Sequence, residues 1–146
     1  MIRVLTKFIL KKIICWKVIG SLPLNEKYVI AVVPHSSYFD LVIAVLIRTY
    51  SGLKIKFIGK KELFNPITSF FFKFLGGIPV DRSKNTNIVD EVVSLFDQNE
   101  IEILAIAPEG TRKEVKKWKS GFYYIALNAN LPILMVSFDY MKKEVV

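Results

Sequence analysis

The chain has 146 residues, 52% of them hydrophobic, and its mean hydropathy is +0.37. This length suits one domain with a substantial core, and the apolar composition excludes a disordered chain. Lys and Arg number 21 against 13 Asp and Glu, a net charge of +8 that favours an anionic partner. One histidine and one cysteine exclude a disulfide within the chain and give no support to a metal site built on those residues.

The first 20 residues predict a basic amphipathic helix. Arg3, Lys7 and Lys11 recur every four positions, and the segment has five basic residues and no acidic one. The apolar residues fall largely opposite these cations and are Leu5, Phe8, Ile9, Ile13 and Trp16. Such a helix suits the headgroup layer of an anionic membrane, while a surface helix packed on the domain is the alternative.

Two later stretches, residues 28–47 and 63–80, are apolar but do not predict membrane spans. The first carries a histidine and an aspartate at its centre, and such groups are rare in the middle of a bilayer. The second is interrupted by a proline, a lysine and two glycines. Its phenylalanines are expected mainly in the core, with contact to acyl chains or membrane as the alternative.

The rest of the chain alternates predicted strands and helices. Strands are predicted at residues 28–33, 55–58, 78–80, 101–107 and 132–138. Helices are predicted at residues 40–50, 61–75, 87–99 and 120–130. This alternation predicts a single α/β domain with a mixed, mostly parallel sheet flanked by helices. We therefore expect a membrane-interface helix at 1–20 and the α/β domain at 21–146.

His35 is the only histidine and follows the first predicted strand of the domain. Ligands of α/β folds gather at the carboxyl ends of strands, so His35 is a candidate general base, with a structural role as the alternative. Asp40 comes five residues later, and within one helix the two side chains would point about 140° apart. They meet only if His35 precedes the helix and Asp40 lies in its first turn. An aspartate so placed would orient the imidazole.

No serine or cysteine is placed as a covalent nucleophile. Ser36 and Ser37 adjoin His35 but lie outside any Gly-x-Ser-x-Gly sequence, and Cys15 lies in the N-terminal helix. A direct reaction, in which His35 activates a substrate hydroxyl, is therefore favoured over an acyl-enzyme.

Cationic residues follow three predicted strands. Lys61 follows the second strand, Arg82 the third, and Arg112 ends the loop at residues 107–112. Glycines in two of these segments permit close approach to a ligand, and arginine presents a fork of donors to phosphate. Glu109 would anchor its loop or position Arg112. Solvated surface cations are the alternative, and neither a P-loop nor a dinucleotide-binding motif is present.

Four segments in order resemble the motifs of the glycerolipid acyltransferases, the lysophosphatidic acid acyltransferase family. They are His-Ser-Ser-Tyr-Phe-Asp at 35–40, the Gly-Gly segment ending in Arg82, Glu-Gly-Thr-Arg at 109–112, and Pro-Ile-Leu-Met-Val at 132–136. The resemblance spans residues 28–138, and four motifs in this order are specific although each alone is weak. Pro34 stands where family members often carry asparagine, and the resemblance predicts more chain after the last strand.

The resemblance implies acyl transfer from acyl-CoA or acyl carrier protein to the hydroxyl of a lysophospholipid such as 1-acyl-glycerol-3-phosphate, in phospholipid biosynthesis. It makes His35 the general base and Asp40 its partner. The residues it implies for the acceptor phosphate are Arg82, Glu109, Gly110, Thr111, Arg112 and Lys61. Pro132 marks the acyl-donor region. No cofactor or metal is implied, since the acyl thioester is a substrate.

The implied partners are the lysophospholipid acceptor, the acyl thioester donor and an anionic membrane surface on the cytoplasmic side, with no nucleic acid. One alternative is an acyltransferase that uses another lysolipid or an aminoacyl lipid. The other is a non-catalytic basic module that binds anionic lipid or nucleic acid through Lys113, Lys116, Lys117 and Lys119. Such binding would depend strongly on salt and not on His35.

Overall fold

The computed structural model describes residues 1–24, 26–81 and 87–146. Its α-helices are α1 (Ile2–Phe8), α2 (Phe39–Ser51), α3 (Ser69–Phe74), α4 (Ile88–Asp97) and α5 (Gly121–Asn128). Its strands are β1 (Lys17–Val18), β2 (Tyr28–Val32), β3 (Ile55–Lys60), β4 (Gly77–Val80), β5 (Ile103–Ile106), β6 (Ile133–Val136), β7 (Phe138–Asp139) and β8 (Glu144–Val145). A π-helical turn spans Ile9–Ile13 and a 3₁₀ turn Lys61–Phe64. Among these described helices, none is both long and apolar enough to cross a bilayer.

Five strands form the central sheet in the order β4-β3-β5-β2-β6. Every neighbouring pair is parallel, so the predicted α/β domain with a mostly parallel sheet is confirmed, and within the described residues no antiparallel strand joins this sheet. The first four residues of β2 are buried, because an interior parallel strand is covered on both faces. The parallel arrangement brings the carboxyl ends of all five strands to one edge.

Helices α4 and α5 cover one face of this sheet. Val92 and Phe96, one helical turn apart on α4, pack with Ile125 of α5 against Val29 and Leu104 of the sheet. All five side chains are buried. Burial of each contributes about 1.5–3 kcal/mol, which holds the two helices against the sheet.

Helix α2 covers the opposite face, and α1 packs beside it. Ile43 and Ile47 of α2 are buried in one cluster with Leu10, which follows α1. The Lys7 ammonium of α1 lies 5.6 Å from the ring centre of Tyr50 near the end of α2. The two helices therefore form one layer.

The two ends of the chain meet in a second sheet, which the sequence did not predict. β1 pairs in parallel with β8, and β8 pairs antiparallel with β7. The helix expected over residues 1–20 is therefore shorter, since helical structure ends at Ile13. Trp16 is buried, with its ring centre 6.2 Å from that of Phe138, and does not form part of an exposed helix face. Two-residue strands are too short for a recognisable pattern.

The 3₁₀ turn and α3 cover the β3–β4 end of the sheet face that carries α2. Ile55 packs on that face, and Gly59 points the same way because side chains alternate along a strand. A Cβ at Gly59 or Gly77 would come within 2.8 Å of the Phe64 ring, so glycine permits this packing. The outward side of α3 exposes Phe70, Phe71 and Phe74. These three side chains therefore differ from the core position that the sequence favours, and they have the exposure that its alternative, contact with acyl chains or membrane, requires.

Candidate active site

His35 and Asp40 meet at the carboxyl edge of the central sheet. His35 lies in the loop after β2, and Asp40 is the second residue of α2, which begins only at Phe39. The His35 Nδ1 lies 2.9 Å from the Asp40 Oδ2, so the contact expected from their spacing is present. The Asp40 side chain is 2% exposed and the His35 side chain 23% exposed. The imidazole is therefore held from inside the protein and remains open to solvent.

Asp40 accepts hydrogen bonds on both carboxylate oxygens. Its Oδ2 accepts from the backbone N–H groups of Ser36 at 3.1 Å and Ser37 at 3.0 Å, besides the contact with His35. Its Oδ1 accepts from the hydroxyl of Tyr140. A buried carboxylate needs such partners, because burial without them is costly. With Nδ1 donating to Asp40, the neutral imidazole presents Nε2 as its acceptor nitrogen.

Tyr140 is a site residue that the sequence did not reveal. It lies 100 residues from Asp40 and follows β7 in the second sheet. Its ring meets the edge of Trp16, with 5.0 Å between ring centres. Burial raises the pKa of Tyr140, the hydrogen bond to Asp40 raises it further, and a bond with Ser37 lowers it. The net shift is upward, so the hydroxyl, which is protonated at neutral pH in any case, remains a donor to more alkaline pH.

Glu109 joins the loop after β5 to the loop that holds His35. Its Oε2 accepts a hydrogen bond of 2.7 Å from the backbone N–H of His35, 74 residues away. Of the two roles expected for Glu109, this contact corresponds to anchoring a loop. The carboxylate bonds the His35 backbone, so it fixes the position from which the imidazole extends.

In the remainder of the Glu-Gly-Thr-Arg segment, Gly110 is half-buried and Thr111 and Arg112 are exposed. Gly110 adopts φ +65°, and a Cβ there would lie 3.0 Å from the Lys119 side chain, so glycine suits this position. Thr111 Oγ1 accepts from the backbone N–H of Lys113 at 3.2 Å. The Arg112 guanidinium lies over the Tyr38 ring, 3.7 Å from its centre. Because Tyr38 immediately precedes α2, this contact keeps Arg112 near the loop of His35.

Lys61 lies farther along the same edge, directly after β3. Its ammonium is 3.1 Å from the Asp81 Oδ2, and Asp81 directly follows β4. Arg82 is next in sequence but lies outside the described residues. The described part of the second motif therefore ends at the carboxyl edge of the sheet.

Pro132 is not brought together with the other predicted site residues. It immediately precedes β6, and its carbonyl accepts from the N–H of Val29 near the start of β2. Val32, at the end of β2, pairs in parallel with Val136 of β6. The carboxyl edge of the sheet is therefore four residues beyond Pro132, a distance of about 13 Å at the rise per residue of a β-strand. Pro132 is thus at the amino edge, and only the strand that it precedes extends toward His35.

An apolar cavity of about 240 Å³ lies under α2, on the sheet face opposite α4 and α5. Its walls include Ile30 and Val32 of β2, Ala44 of α2, and Leu134 and Val136 of β6. Val32 is three residues before His35, so one wall of the cavity leads to the loop of the candidate base. The shape and lining suit an apolar ligand.

The protein-family model for acyltransferases matches residues 15–139, and no curated protein matches the chain. The fold is similar to the crystal structure of the 1-acyl-sn-glycerophosphate (LPA) acyltransferase PlsC from Thermotoga maritima, with a TM-score of 0.67 and 20% sequence identity. The similarity covers 97% of this chain and 57% of the PlsC chain, so this chain spans little more than half that length. The family match includes all four sequence motifs, and the chain therefore belongs to the acyltransferase family.

Proposed function

We propose that the chain transfers a fatty acyl group from acyl-CoA or acyl carrier protein to the free hydroxyl of a lysophospholipid such as 1-acyl-glycerol-3-phosphate. Membership of the acyltransferase family supports the reaction class. The observation that carries the proposal is the 2.9 Å contact between a buried Asp40 carboxylate and a partly exposed His35 imidazole. The product, a phospholipid with an additional acyl chain, is what phospholipid biosynthesis requires.

In the proposed reaction, His35 is the general base. Its Nε2 accepts the proton of the acceptor hydroxyl as the hydroxyl oxygen attacks the thioester carbonyl carbon. Asp40 stabilises the imidazolium that forms. The carbon–sulfur bond then breaks, and the imidazolium returns the proton to the leaving thiolate, so no cofactor is consumed. General-base catalysis of this kind contributes about 10²–10⁴ to the rate.

Cationic side chains at the same edge are proposed to hold the acceptor's phosphate. Arg112 is supported by its contact with Tyr38, which lies two residues before Asp40. Lys61 extends the proposed cationic edge, and Arg82, which lies outside the described residues, is assigned to the phosphate by its place in the second motif. Gly110 and Thr111 shape the loop between Glu109 and Arg112. Holding the phosphate would orient the acceptor hydroxyl beside the base.

Glu109 has a different proposed role from its cationic neighbours. Its carboxylate would repel a phosphate, and it already accepts a hydrogen bond from the backbone of His35. We therefore assign it to anchoring the histidine loop instead of contacting the acceptor.

The acyl chain of the donor is proposed to lie in the apolar cavity. Two observations support this assignment: the cavity is lined by apolar side chains, and Val32 connects its wall to the His35 loop. Pro132 then contributes indirectly, because it precedes the strand that supplies Leu134 and Val136 to the lining.

The proposal includes an anionic membrane surface on the cytoplasmic side, where acyl thioesters are available, and no nucleic acid. Helix α1 supports membrane contact because Val4, Leu5 and Phe8 are exposed on a segment with basic residues. This surface is smaller than the helix expected over residues 1–20, since Leu10 and Trp16 are buried in the domain.

The His35→Ala variant tests the proposed base. Release of thiol from acyl-CoA, and from acyl carrier protein, should be measured across a panel of lysolipid acceptors. We expect turnover to fall by about 10²–10⁴, because the general base is removed. Glu102→Gln, an exposed substitution between α4 and β5, is the control and should retain turnover.

Circular dichroism should establish that both variants are folded. Undiminished turnover by a folded His35→Ala protein would remove His35 from the mechanism. Lipid binding that depends on salt, with no thiol release by the wild-type protein on any acceptor, would instead favour the non-catalytic basic module.

A further inference from the structure

Helix α3 and the residues before it expose a cluster of large apolar side chains. Ile67 is 90% exposed, Phe70 83% and Phe74 72%, and Phe71 lies beside them at 56%. Contiguous apolar surface of this kind on a folded domain marks a site of interaction with another apolar surface. We define these four residues as the α3 apolar cluster.

The outward position of the cluster is fixed by local structure. Phe64 packs on Gly59 and Gly77 of the sheet, so the turn before α3 is attached to the domain from its inner side. Asn65 Oδ1 accepts hydrogen bonds from the N–H groups of Ile67 at 2.9 Å and Thr68 at 3.0 Å, which fixes the turn ahead of α3. Ile67 is therefore exposed by an ordered turn.

The α3 apolar cluster lies in the same layer as α1 and α2. Arg48, near the end of α2, donates to the carbonyl of Ile55 at 3.0 Å and lies beside Gly76, which follows α3. Helix α1 packs against α2, as shown by Lys7 and Tyr50. One side of the domain thus exposes apolar residues from both α1 and α3.

Charge distinguishes this layer from the opposite one. Residues 1–19 and 61–76, which contain α1 and α3, have seven Lys and Arg and one acidic residue. Residues 88–102, which contain α4 on the other face, have five acidic residues and no Lys or Arg. Lys73 lies within α3 and is exposed. Exposed apolar groups beside basic side chains complement an anionic lipid surface.

We propose that the α3 apolar cluster is a second lipid-docking surface, which inserts between the lipids of an anionic bilayer while Lys73 contacts the headgroups. The inference rests on the proposed function in one respect: an enzyme with lipid substrates would bind them at a membrane surface. Docking at both α1 and α3 would fix the orientation of the domain on the membrane, because two separated contacts prevent rotation about either one.

The test is vesicle co-sedimentation of the whole chain without substrates. Vesicles of phosphatidylcholine alone should be compared with vesicles that also contain phosphatidylglycerol. The double variant Phe70→Ser/Phe74→Ser should bind the anionic vesicles about a hundredfold more weakly, at about tenfold for each phenylalanine removed. Wild-type protein should bind the neutral vesicles more weakly than the anionic ones.

A matched control is available on the opposite face. Tyr124 and Leu127 of α5 are 49% and 57% exposed, so Tyr124→Ser/Leu127→Ser also removes two large exposed apolar side chains. This variant should bind anionic vesicles as the wild type does. The His35→Ala protein should also retain binding, so docking and catalysis are measured separately. Circular dichroism should confirm that each variant is folded.

Wild-type vesicle binding by the Phe70→Ser/Phe74→Ser protein would overturn the proposal. Equal losses of vesicle binding in that variant and in the α5 control would also overturn it, because any pair of exposed apolar side chains would then contribute to binding. A wild-type dimer that the double variant converts to a monomer, with vesicle binding unchanged, would assign the cluster to contact between copies of the chain and reject lipid docking.

Discussion

The carboxyl edge of the sheet is built in two contrasting ways. Asp40 is buried and accepts hydrogen bonds from a neighbouring loop and from Tyr140, whereas Arg112 and Lys61 are exposed side chains. Proton transfer requires atoms held within a few tenths of an ångström, while a cation attracts phosphate over a longer range. The comparison indicates that substitutions near Asp40 lower kcat, and that substitutions among the exposed cations raise KM.

The largest effect in this comparison is expected for Asp40→Asn. An amide cannot accept from every donor that now faces the carboxylate, and it stabilises an imidazolium poorly. We expect kcat to fall by about 10²–10⁴ with little change in KM for either substrate. Initial rates measured over a range of each substrate separate the two parameters. An unchanged kcat with a raised KM would place Asp40 among the binding residues and break the comparison.

A smaller effect is expected for Arg112→Ala. A hydrogen bond to a charged group contributes about 1.5–3 kcal/mol, so KM for a phosphate-bearing lysolipid should rise about tenfold to a hundredfold. Arg112→Lys is the matched control; it keeps the charge but loses the forked donors and should have an intermediate KM. If only the KM for the acyl thioester changed, Arg112 would belong to the donor site.

Tyr140→Phe tests whether the second sheet supports the base. The substitution removes one of the hydrogen bonds to Asp40 and keeps the ring against Trp16. Loss of about 0.5–1.5 kcal/mol predicts a threefold to tenfold decrease in kcat at constant KM. Nitrogen NMR of the His35 ring should show a change in the proton at Nδ1, which altered packing alone would not produce. Tyr123→Phe, at an exposed position of α5, is the control and should leave both kcat and the His35 signals unchanged.

The smallest effect concerns stability at alkaline pH. Burial and the bond to Asp40 raise the pKa of Tyr140 above its ordinary 10.0, so the unfolded chain loses this proton at lower pH than the folded chain. The stabilisation is therefore complete below about pH 10 and is lost as pH rises through the higher folded value. Denaturant unfolding in alkaline buffers should show this decline, and Tyr140→Phe should reduce its slope. An equal slope in the variant would assign the decline to other groups, among them Tyr28, whose pKa burial also raises.

Local spacing accounts for the parts of the site that the sequence predicted. His35 and Asp40 are five residues apart, so their contact requires only that a helix begin between them, and it begins at Phe39. The apolar runs likewise predicted the five strands of the central sheet, because strands buried on both faces need continuous apolar residues. These features depend on neighbours in sequence.

Contacts between distant residues were not predictable in the same way. Tyr140 reaches Asp40 across 100 residues, and Glu109 reaches the His35 backbone across 74. Pro132 had a plausible place in the motif order, yet parallel pairing puts it at the opposite edge of the sheet. The phenylalanines of α3 were expected mainly in the core. A run of phenylalanines does not indicate which side of the helix packs against the sheet, so the exposed ones could not be identified from the sequence.

By itself, the sequence determined the α/β class, the order of the strands and helices, and a histidine–aspartate pair after the first strand of the domain. Those properties follow from hydrophobic runs and short spacings, which act over a few residues. Only the tertiary structure decided which groups hold the aspartate, which end of the sheet each motif occupies and which phenylalanines face solvent. Each of these depends on how separate segments pack, and that packing brings together groups whose distance along the chain carries no signal of contact.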